Sequence, residues 1–72
     1  MNKKPETHAG MTEDRARSIL FVLGFTAESV KVLMTEAKRA GNAESAGIIT
    51  RRIVVTRIWE DDTWEVAVYQ AG

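Results

Sequence analysis

Apolar residues recur at helical spacing in the first half of the chain. The first series follows the i, i+3, i+4, i+7 pattern of one buried helical stripe and consists of Ala16, Ile19, Leu20 and Leu23. Thr12 precedes it and offers a hydroxyl that can cap the first backbone amides, while Glu13 and Asp14 favour the positive end of the helix dipole. Gly24 can end the helix in a left-handed conformation. The pattern therefore predicts a first helix between Thr12 and Gly24.

A second helical stripe follows after a short turn. It consists of Val30, Leu33, Met34 and Ala37. Thr26 can cap its first turn, and Lys38 and Arg39 lie in its last turn, where cations interact favourably with the helix dipole. The sequence predicts a second helix through AESVKVLMTEAKRA that stops at Gly41. A polar connector, NAESAG, is expected over residues 42–47.

The pattern changes from helical spacing to β-branched runs at residue 48. IITRRIVVTRIW, residues 48–59, contains neither glycine nor proline and predicts a long strand. TWEVAVYQ, residues 63–70, predicts its partner strand across an acidic turn. These elements predict an α+β fold: a small single domain in which a helical hairpin is followed by an antiparallel β-hairpin and covers one of its faces.

The turn of the hairpin decides which residues lie opposite each other. With Asp61 and Asp62 at its centre, Trp59 lies opposite Trp64, and a four-residue loop over residues 60–63 gives the same pairing. The two tryptophans either close the core against the helices or anchor a partner protein, because aromatic residues are enriched at binding hot spots. Side chains on the other face of the hairpin cannot pack against the same helices; they belong to Val54, Thr56, Ile58, Ala67 and Tyr69.

The first ten residues, MNKKPETHAG, are polar and contain both a proline and a glycine. They predict a disordered tail over residues 1–10, which leaves residues 11–72 as the folded domain. A chain of 72 residues has room for one core only.

The first predicted strand is longer than its partner. In the predicted register the partner ends at Gln70 opposite Ile53, which leaves residues 48–52 without a neighbouring strand. An unpaired apolar strand invites pairing by a second copy, by a partner's strand, or by a helix folded over it. We expect a homodimer through this strand, and a larger protein as a further partner. The candidate partner-binding residues are Ile49, Arg51, Ile53, Arg57, Trp59, Trp64 and Tyr69.

Composition argues against several classes of chemistry. The chain has no cysteine, which excludes disulfides, thiolate nucleophiles and zinc-cysteine clusters. Its one histidine, His8, lies in the predicted tail, and the three adjacent acids Glu60–Asp62 are typical of a solvated turn. No phosphate loop, nucleophile elbow or HExxH pair is present. We therefore predict no catalytic residue, no metal site, no cofactor and no enzymatic activity.

Residues 16–33, ARSILFVLGFTAESVKVL, resemble the helix-turn-helix pattern of DNA-binding regulators, with Gly24 in the turn and apolar residues at 19, 23, 25, 30 and 33. The segment departs from that pattern at Leu20, where the family favours a small residue. The resemblance implies that residues 27–38 are a recognition helix and that the hairpin is a wing. The DNA-contacting residues would then be Lys31, Lys38, Arg39, Arg51 and Arg52.

The overall charge balance does not favour a nucleic-acid partner. Ten basic and ten acidic residues cancel, although the middle of the chain is basic and the hairpin tip is acidic. The longest apolar run, residues 19–23, is far too short to cross a bilayer, so we expect a cytoplasmic protein with no membrane partner and no small-molecule substrate. The composition is typical of accessory proteins of phages and plasmids. Two functions follow as hypotheses: a non-catalytic protein-binding or regulatory module, or a DNA-binding transcriptional regulator.

Overall fold

The computed structural model describes residues 6–45 and 51–70. In chain order the elements are β1 (Glu6–Met11), α1 (Glu13–Val22), α2 (Ala27–Ala40), β2 (Asn42–Ser45), β3 (Arg51–Ile58) and β4 (Thr63–Gln70). The four strands form one antiparallel sheet in the order β1-β4-β3-β2. Both helices pack against the same face of this sheet. The α+β class is confirmed, whereas the sheet is larger than the predicted hairpin.

Both helices lie where the apolar stripes and caps predict them. The Oγ1 atoms of Thr12 and Thr26 each accept a hydrogen bond at 3.2 Å from a backbone N–H in the first turn of their helix. Gly41 ends α2 with a φ of 92°, the left-handed conformation that glycine adopts without strain. Local chemistry therefore fixes the bounds of both helices.

The core lies between the helices and one face of the sheet. The helices and the turn between them contribute Ala16, Leu20, Phe25, Val30, Leu33, Met34 and Ala37. The strands contribute Ala43, Ile53, Val55, Trp64, Val66 and Val68. Trp64 is only 1% exposed and is the largest of the fully buried side chains. The strand residues alternate along β3 and β4, as expected when one face of a sheet is covered.

The prediction of a disordered tail is wrong for residues 6–10, because Glu6–Met11 form β1. This strand pairs with β4, with Thr7 opposite Ala67 and His8 opposite Val66. Its polar side chains are compatible with an edge position, where one side of the strand faces solvent. Met11 packs against the core and anchors the end of the strand. Pairing with a segment more than fifty residues away, rather than local propensity, stabilises β1.

The connector predicted at residues 42–47 is wrong for residues 42–45, which form β2. Gly41 reverses the chain, and its carbonyl oxygen accepts a hydrogen bond from the Arg57 N–H at 2.8 Å. The strand then runs antiparallel to β3, from Asn42 opposite Thr56 to Ser45 opposite Ile53. β2 therefore pairs with residues 53–56 of β3, and the predicted overhang is shorter than expected because β4 pairs with Arg51 and Arg52. Residues 48–50 of the predicted overhang lie outside the described residues.

The predicted pairing of the two tryptophans is also wrong. Arg57, not Trp59, lies opposite Trp64, and Trp59 is part of the turn over residues 59–62. The predicted register places Arg57 opposite Val66, two residues further along β4. The observed turn is held by Asp62, which adopts a φ of 57° and forms an ion pair with Arg57. Because the shift is two residues, every side chain keeps its predicted face.

Candidate functional site

One face of the sheet is left uncovered by the described helices. It carries the side chains that alternate with the core residues, and we call it the open face. Its members are Thr7, Asn42, Glu44, Arg52, Val54, Thr56, Ile58, Thr63, Glu65, Ala67 and Tyr69. α1 and α2 pack on the opposite face, and no other element of the described ranges lies over this one.

The strand register arranges the open face in rows that cross the sheet. The middle row runs from Thr7 through Ala67 and Val54 to Glu44. Ala67 is only 6% exposed although no helix covers it, because larger side chains flank this small residue on its own face. The centre of the open face is therefore apolar, and its polar groups lie towards the periphery.

The row on one side of this centre pairs a cation with an aromatic ring. Arg52 lies opposite Tyr69, and its guanidinium carbon is 4.5 Å from the centroid of the ring. The Nε atom of Arg52 is also 3.8 Å from a carboxylate oxygen of Glu44. The cation–π contact and the ion pair place the guanidinium between the Tyr69 ring and the Glu44 carboxylate.

The row on the other side carries an unpaired carboxylate. Glu65 lies opposite Thr56, and both side chains are half-buried. Within residues 6–45 and 51–70, Glu65 has neither an ion-pair partner nor a hydrogen-bond partner. A half-buried carboxylate without a partner is available for a contact from outside the chain.

The structure separates the predicted partner-binding residues. Ile53 and Trp64 are each 1% exposed in the core and cannot contact a partner, while Arg57 lies over the Trp64 ring at 5.3 Å. Tyr69 belongs to the open face, and Trp59 is 60% exposed in the turn beside Gly41. Arg51 lies opposite Gln70 at the end of the sheet. Ile49 is outside the described residues.

The cations predicted to contact DNA are not gathered on one surface. Lys38 Nζ is 2.9 Å from Glu13, and Arg39 forms an ion pair with Glu36. Arg52 lies on the open face, on the opposite side of the sheet from α2. Lys31 is exposed on the outer side of α2, and the side chain of Arg51 is not described. These positions do not form one phosphate-binding surface.

Carboxylates at two further places oppose the helix-turn-helix interpretation. Glu28 lies in the first turn of α2, the part of a recognition helix that enters the groove of DNA. The turn between β3 and β4, which would be the tip of the wing, carries Glu60, Asp61 and Asp62. Carboxylates at both places repel phosphates.

The ion pairs of the helical layer involve one carboxylate that bridges both helices. A hydrogen bond from Lys38 of α2, assisted by Arg17 of α1, lowers the pKa of Glu13 below its ordinary value, although partial burial opposes the shift. Arg17 is 2.9 Å from both Glu13 and Asp14. These pairs lie along a shallow groove of about 320 Å³ between the helices, where Phe21 is half-exposed.

Within residues 6–45 and 51–70, no group of three or more metal-ligating side chains lies close enough together to hold an ion. Neither helix combines the length and the apolar character that spanning a membrane requires.

Sequence reasoning anticipated part of the open face. Strand alternation predicts five residues on the side that the helices leave free, and all five are found there: Val54, Thr56, Ile58, Ala67 and Tyr69. Glu65 could have been placed there too, because it alternates with the core residue Trp64. Thr7 and Glu44 have no such local signal, since they join the face only through strands that pair over long distances.

No protein-family model, no curated protein and no solved structure matches this chain.

Proposed function

We propose that this protein is a small non-catalytic protein-binding module whose interaction surface is the open face. The observation that carries the proposal is the sheet face that no described element covers, on which Ile58 is 36% exposed and Val54 and Tyr69 are half-buried. An apolar surface exposed on a folded domain is typical of a docking site. Docking on a larger protein, or blocking it, is the activity that such a surface supports.

The composition of the open face suits a protein partner. Interfaces are enriched in tyrosine and arginine, and the stacked pair of Tyr69 and Arg52 presents both. Arg52 is held by Glu44 and the ring, so less side-chain entropy is lost when a partner binds. The carboxylates Glu44 and Glu65 stand outside the apolar centre, as charges do at the rim of an interface.

The shape of the open face also favours a protein over a small molecule. Small ligands are bound in concave pockets that enclose most of their surface. The open face is one side of a sheet, and its half-buried side chains, Val54 and Thr56 among them, stand on adjacent rows. A broad surface of this kind is complementary to another broad surface.

Site-specific crosslinking tests the proposal, because a cysteine-free chain accepts a single introduced thiol. Thr56→Cys places a thiol on the open face, and Thr35→Cys places an exposed thiol on the helical side of the domain, in the shallow groove between α1 and α2. Both variants are labelled with a benzophenone maleimide and irradiated in an extract of the natural host and with random-sequence duplex DNA. We expect protein adducts from position 56 and few from position 35.

Both variants replace a threonine with a cysteine. A difference in the adducts that they form therefore reports where the thiol lies and not its chemistry. Circular dichroism of each labelled protein checks that it is folded. Adducts to DNA from position 35 with none to protein from position 56 would contradict the proposal and favour the DNA-binding alternative.

A further inference from the structure

We infer that the first part of β1, residues 6–9, is a detachable strap that covers a second binding site at the backbone edge of β4. The strap turns about Gly10 and leaves the rest of the domain folded. The site beneath it fits an extended strand of a partner protein whose alternate side chains are apolar. This edge is separate from the open face, so the inference does not depend on the proposed function.

The strap buries little of its own surface. Glu6, Thr7 and Ala9 are exposed, and His8 is half-buried. The ring of His8 is 3.0 Å from the carboxylate of Glu6, and because both residues belong to the strap, this contact is kept when the strap leaves. Opening therefore returns little apolar surface to water, which is typical of the segments of a fold that open locally.

The structure also places a hinge at the end of the strap. Gly10 has a φ of 68°, which glycine adopts without strain, and an added Cβ would meet nothing within 4 Å. The register between β1 and β4 shifts between His8 and Met11, so the ladder is interrupted here. Met11 packs against the core. The strap can therefore turn at Gly10 while Met11 and the start of α1 stay in place.

Backbone alternation along β3 shows which way its hydrogen-bonding groups point. The N–H of Arg57 donates to the carbonyl oxygen of Gly41, at the start of β2. The backbone groups of successive residues in a strand point to opposite sides. Those of Val54 and Thr56 therefore point away from β2 and towards β4.

The same alternation identifies the groups of β4 that the strap covers. Ala67 and Glu65 lie opposite the two β3 residues that point towards β4, so their own backbone groups are used by β3. The N–H and C=O groups of Val66 and Val68 point the other way, towards the strap. When the strap leaves, these groups form an open strand edge, which is a template for an added strand.

The side chains beside this edge define the strand that would fit. Glu6 and His8 lie opposite Val68 and Val66, and so on the covered face of the sheet. α1 contacts β4 and β1, whereas α2 contacts β2 and β3. Half-buried Ile19 lies on the side of α1 opposite its groove with α2. The strap therefore places two polar side chains where apolar ones would be buried.

An incoming strand must compete with a strap that belongs to the same chain and is present at high effective concentration. Apolar side chains at the places of Glu6 and His8 supply the advantage, because they bury more apolar surface than the strap does. A strand that is polar at these places lacks that advantage. The site therefore selects extended segments with apolar residues at alternate positions.

Amide hydrogen exchange of the full chain, followed by NMR, tests the opening. After correction for intrinsic rates, we expect the Val66 amide to exchange roughly tenfold or more faster than those of Glu65 and Ala67 on either side of it. The Val68 amide should behave as Val66 does. Equal protection of all four amides would overturn the inference, because β1 would then open only together with the whole sheet.

A reversible lock tests whether the strap is the cause. Thr7 lies opposite Ala67, and because the Ala67 backbone is used by β3, this is the closer type of antiparallel pair, with Cα atoms ~4.5 Å apart. Thr7→Cys with Ala67→Cys therefore forms a disulfide in an otherwise cysteine-free chain. Oxidation should slow exchange at Val66 to the rate of its neighbours, and reduction should restore it. A Val66 amide that stays fast after oxidation would overturn the inference.

A synthetic strand tests the binding site itself. The probe is a peptide of residues 1–11 that carries Glu6→Val and His8→Val. With the reduced double-cysteine protein we expect shifts of the Val66 and Val68 amide signals, and with the oxidised protein none. The peptide of unchanged sequence is the matched control and should bind roughly tenfold or more weakly.

The two redox states are the same protein, so circular dichroism of each state separates a folding defect from a closed site. Equal shifts in the oxidised and reduced states would mean that the peptide binds elsewhere and would overturn the site. The absence of shifts in the reduced state would overturn it too. Either result leaves the open face, and the crosslinking that tests it, unaffected.

Discussion

The two faces of the sheet are built from alternate residues of the same strands, yet they have different roles. On the covered face Val55 is 0% exposed beneath the helices, whereas its neighbour Val54, on the open face, is only half-buried. Both positions are valine, so composition does not distinguish them. The position of the helices distinguishes them. The covered face stabilises the fold, and the open face is accessible to a partner.

Substitutions should therefore separate stability from association along a single strand. A change on the covered face should unfold the domain, and the same change one residue away should leave it folded but alter what it binds.

The largest expected effect is that of an aspartate on adjacent residues. Val55→Asp buries a carboxylate without a partner beneath the helices and should cost several kcal/mol, enough to unfold a domain of this size. Val54→Asp should leave the circular dichroism spectrum unchanged and weaken binding of a protein partner to the open face. Urea unfolding of the two variants, and crosslinking from position 56 in the Val54→Asp background, provide the comparison, and equal loss of structure in both would contradict it.

The two tryptophans should differ almost as much. Trp64→Ala removes the largest buried side chain and should lower the free energy of unfolding by ~3–5 kcal/mol. Trp59→Ala truncates a side chain that is 60% exposed and should cost under ~1 kcal/mol. Denaturant titrations at one protein concentration measure both values. A larger loss of unfolding free energy for Trp59→Ala than for Trp64→Ala would mean that the turn stabilises the hairpin more than the core does.

A smaller effect is expected at the junction of α2 and β2. Gly41→Ala forces a side chain into a φ of 92° and should cost about 1 kcal/mol, even though the new Cβ would meet Trp59 only at an ordinary 3.7 Å. The matched change Gly10→Ala has a φ of 68° and open space around the Cβ, so backbone strain alone acts there. Thermal unfolding of both variants would show whether contact with Trp59 adds to the cost.

The smallest effect is expected from the ion pair between the helices. The lowered pKa of Glu13 means that its carboxylate stabilises the fold above the ordinary glutamate pKa, and that this contribution is lost as pH falls through the lowered value. Lys38→Gln should raise the pKa of Glu13 towards normal and reduce stability near neutral pH by ~0.5 kcal/mol or less, because the pair is solvated. NMR titration of Glu13 measures the pKa, and an unchanged value would mean that Lys38 does not contact it in solution.

Elements held by contacts between residues close in the sequence could be predicted, and elements held by contacts between distant segments could not. Thr12, Thr26 and Gly41 cap the helices through contacts within a few residues, so the sequence pattern located both helices. β1 and β2 depend on pairing with distant strands, and their polar sequences, ETHAGM and NAES, contain no local β signal. The hairpin register depended on the left-handed conformation of Asp62, which neither of the predicted turns anticipated.

The candidate site could be predicted only as far as strand alternation reaches. Alternation assigned Val54 and Tyr69 to the side away from the helices, and the structure agrees. The same alternation places Ile53 on the face of Trp64, so both belong to the core, although both are among the predicted partner-binding residues. The two outer strands of the open face required the structure itself.

The most direct test of the open face as the binding surface is the protection of a single thiol. Maleimide reacts with Thr56→Cys and with Thr35→Cys, and the rate for each variant is followed as the partner protein captured by crosslinking is added in rising concentration. The account predicts that the thiol at position 56 is progressively protected while the thiol at position 35 reacts at a constant rate. Protection at position 35 with none at position 56 would place the interaction surface on the helices and contradict it.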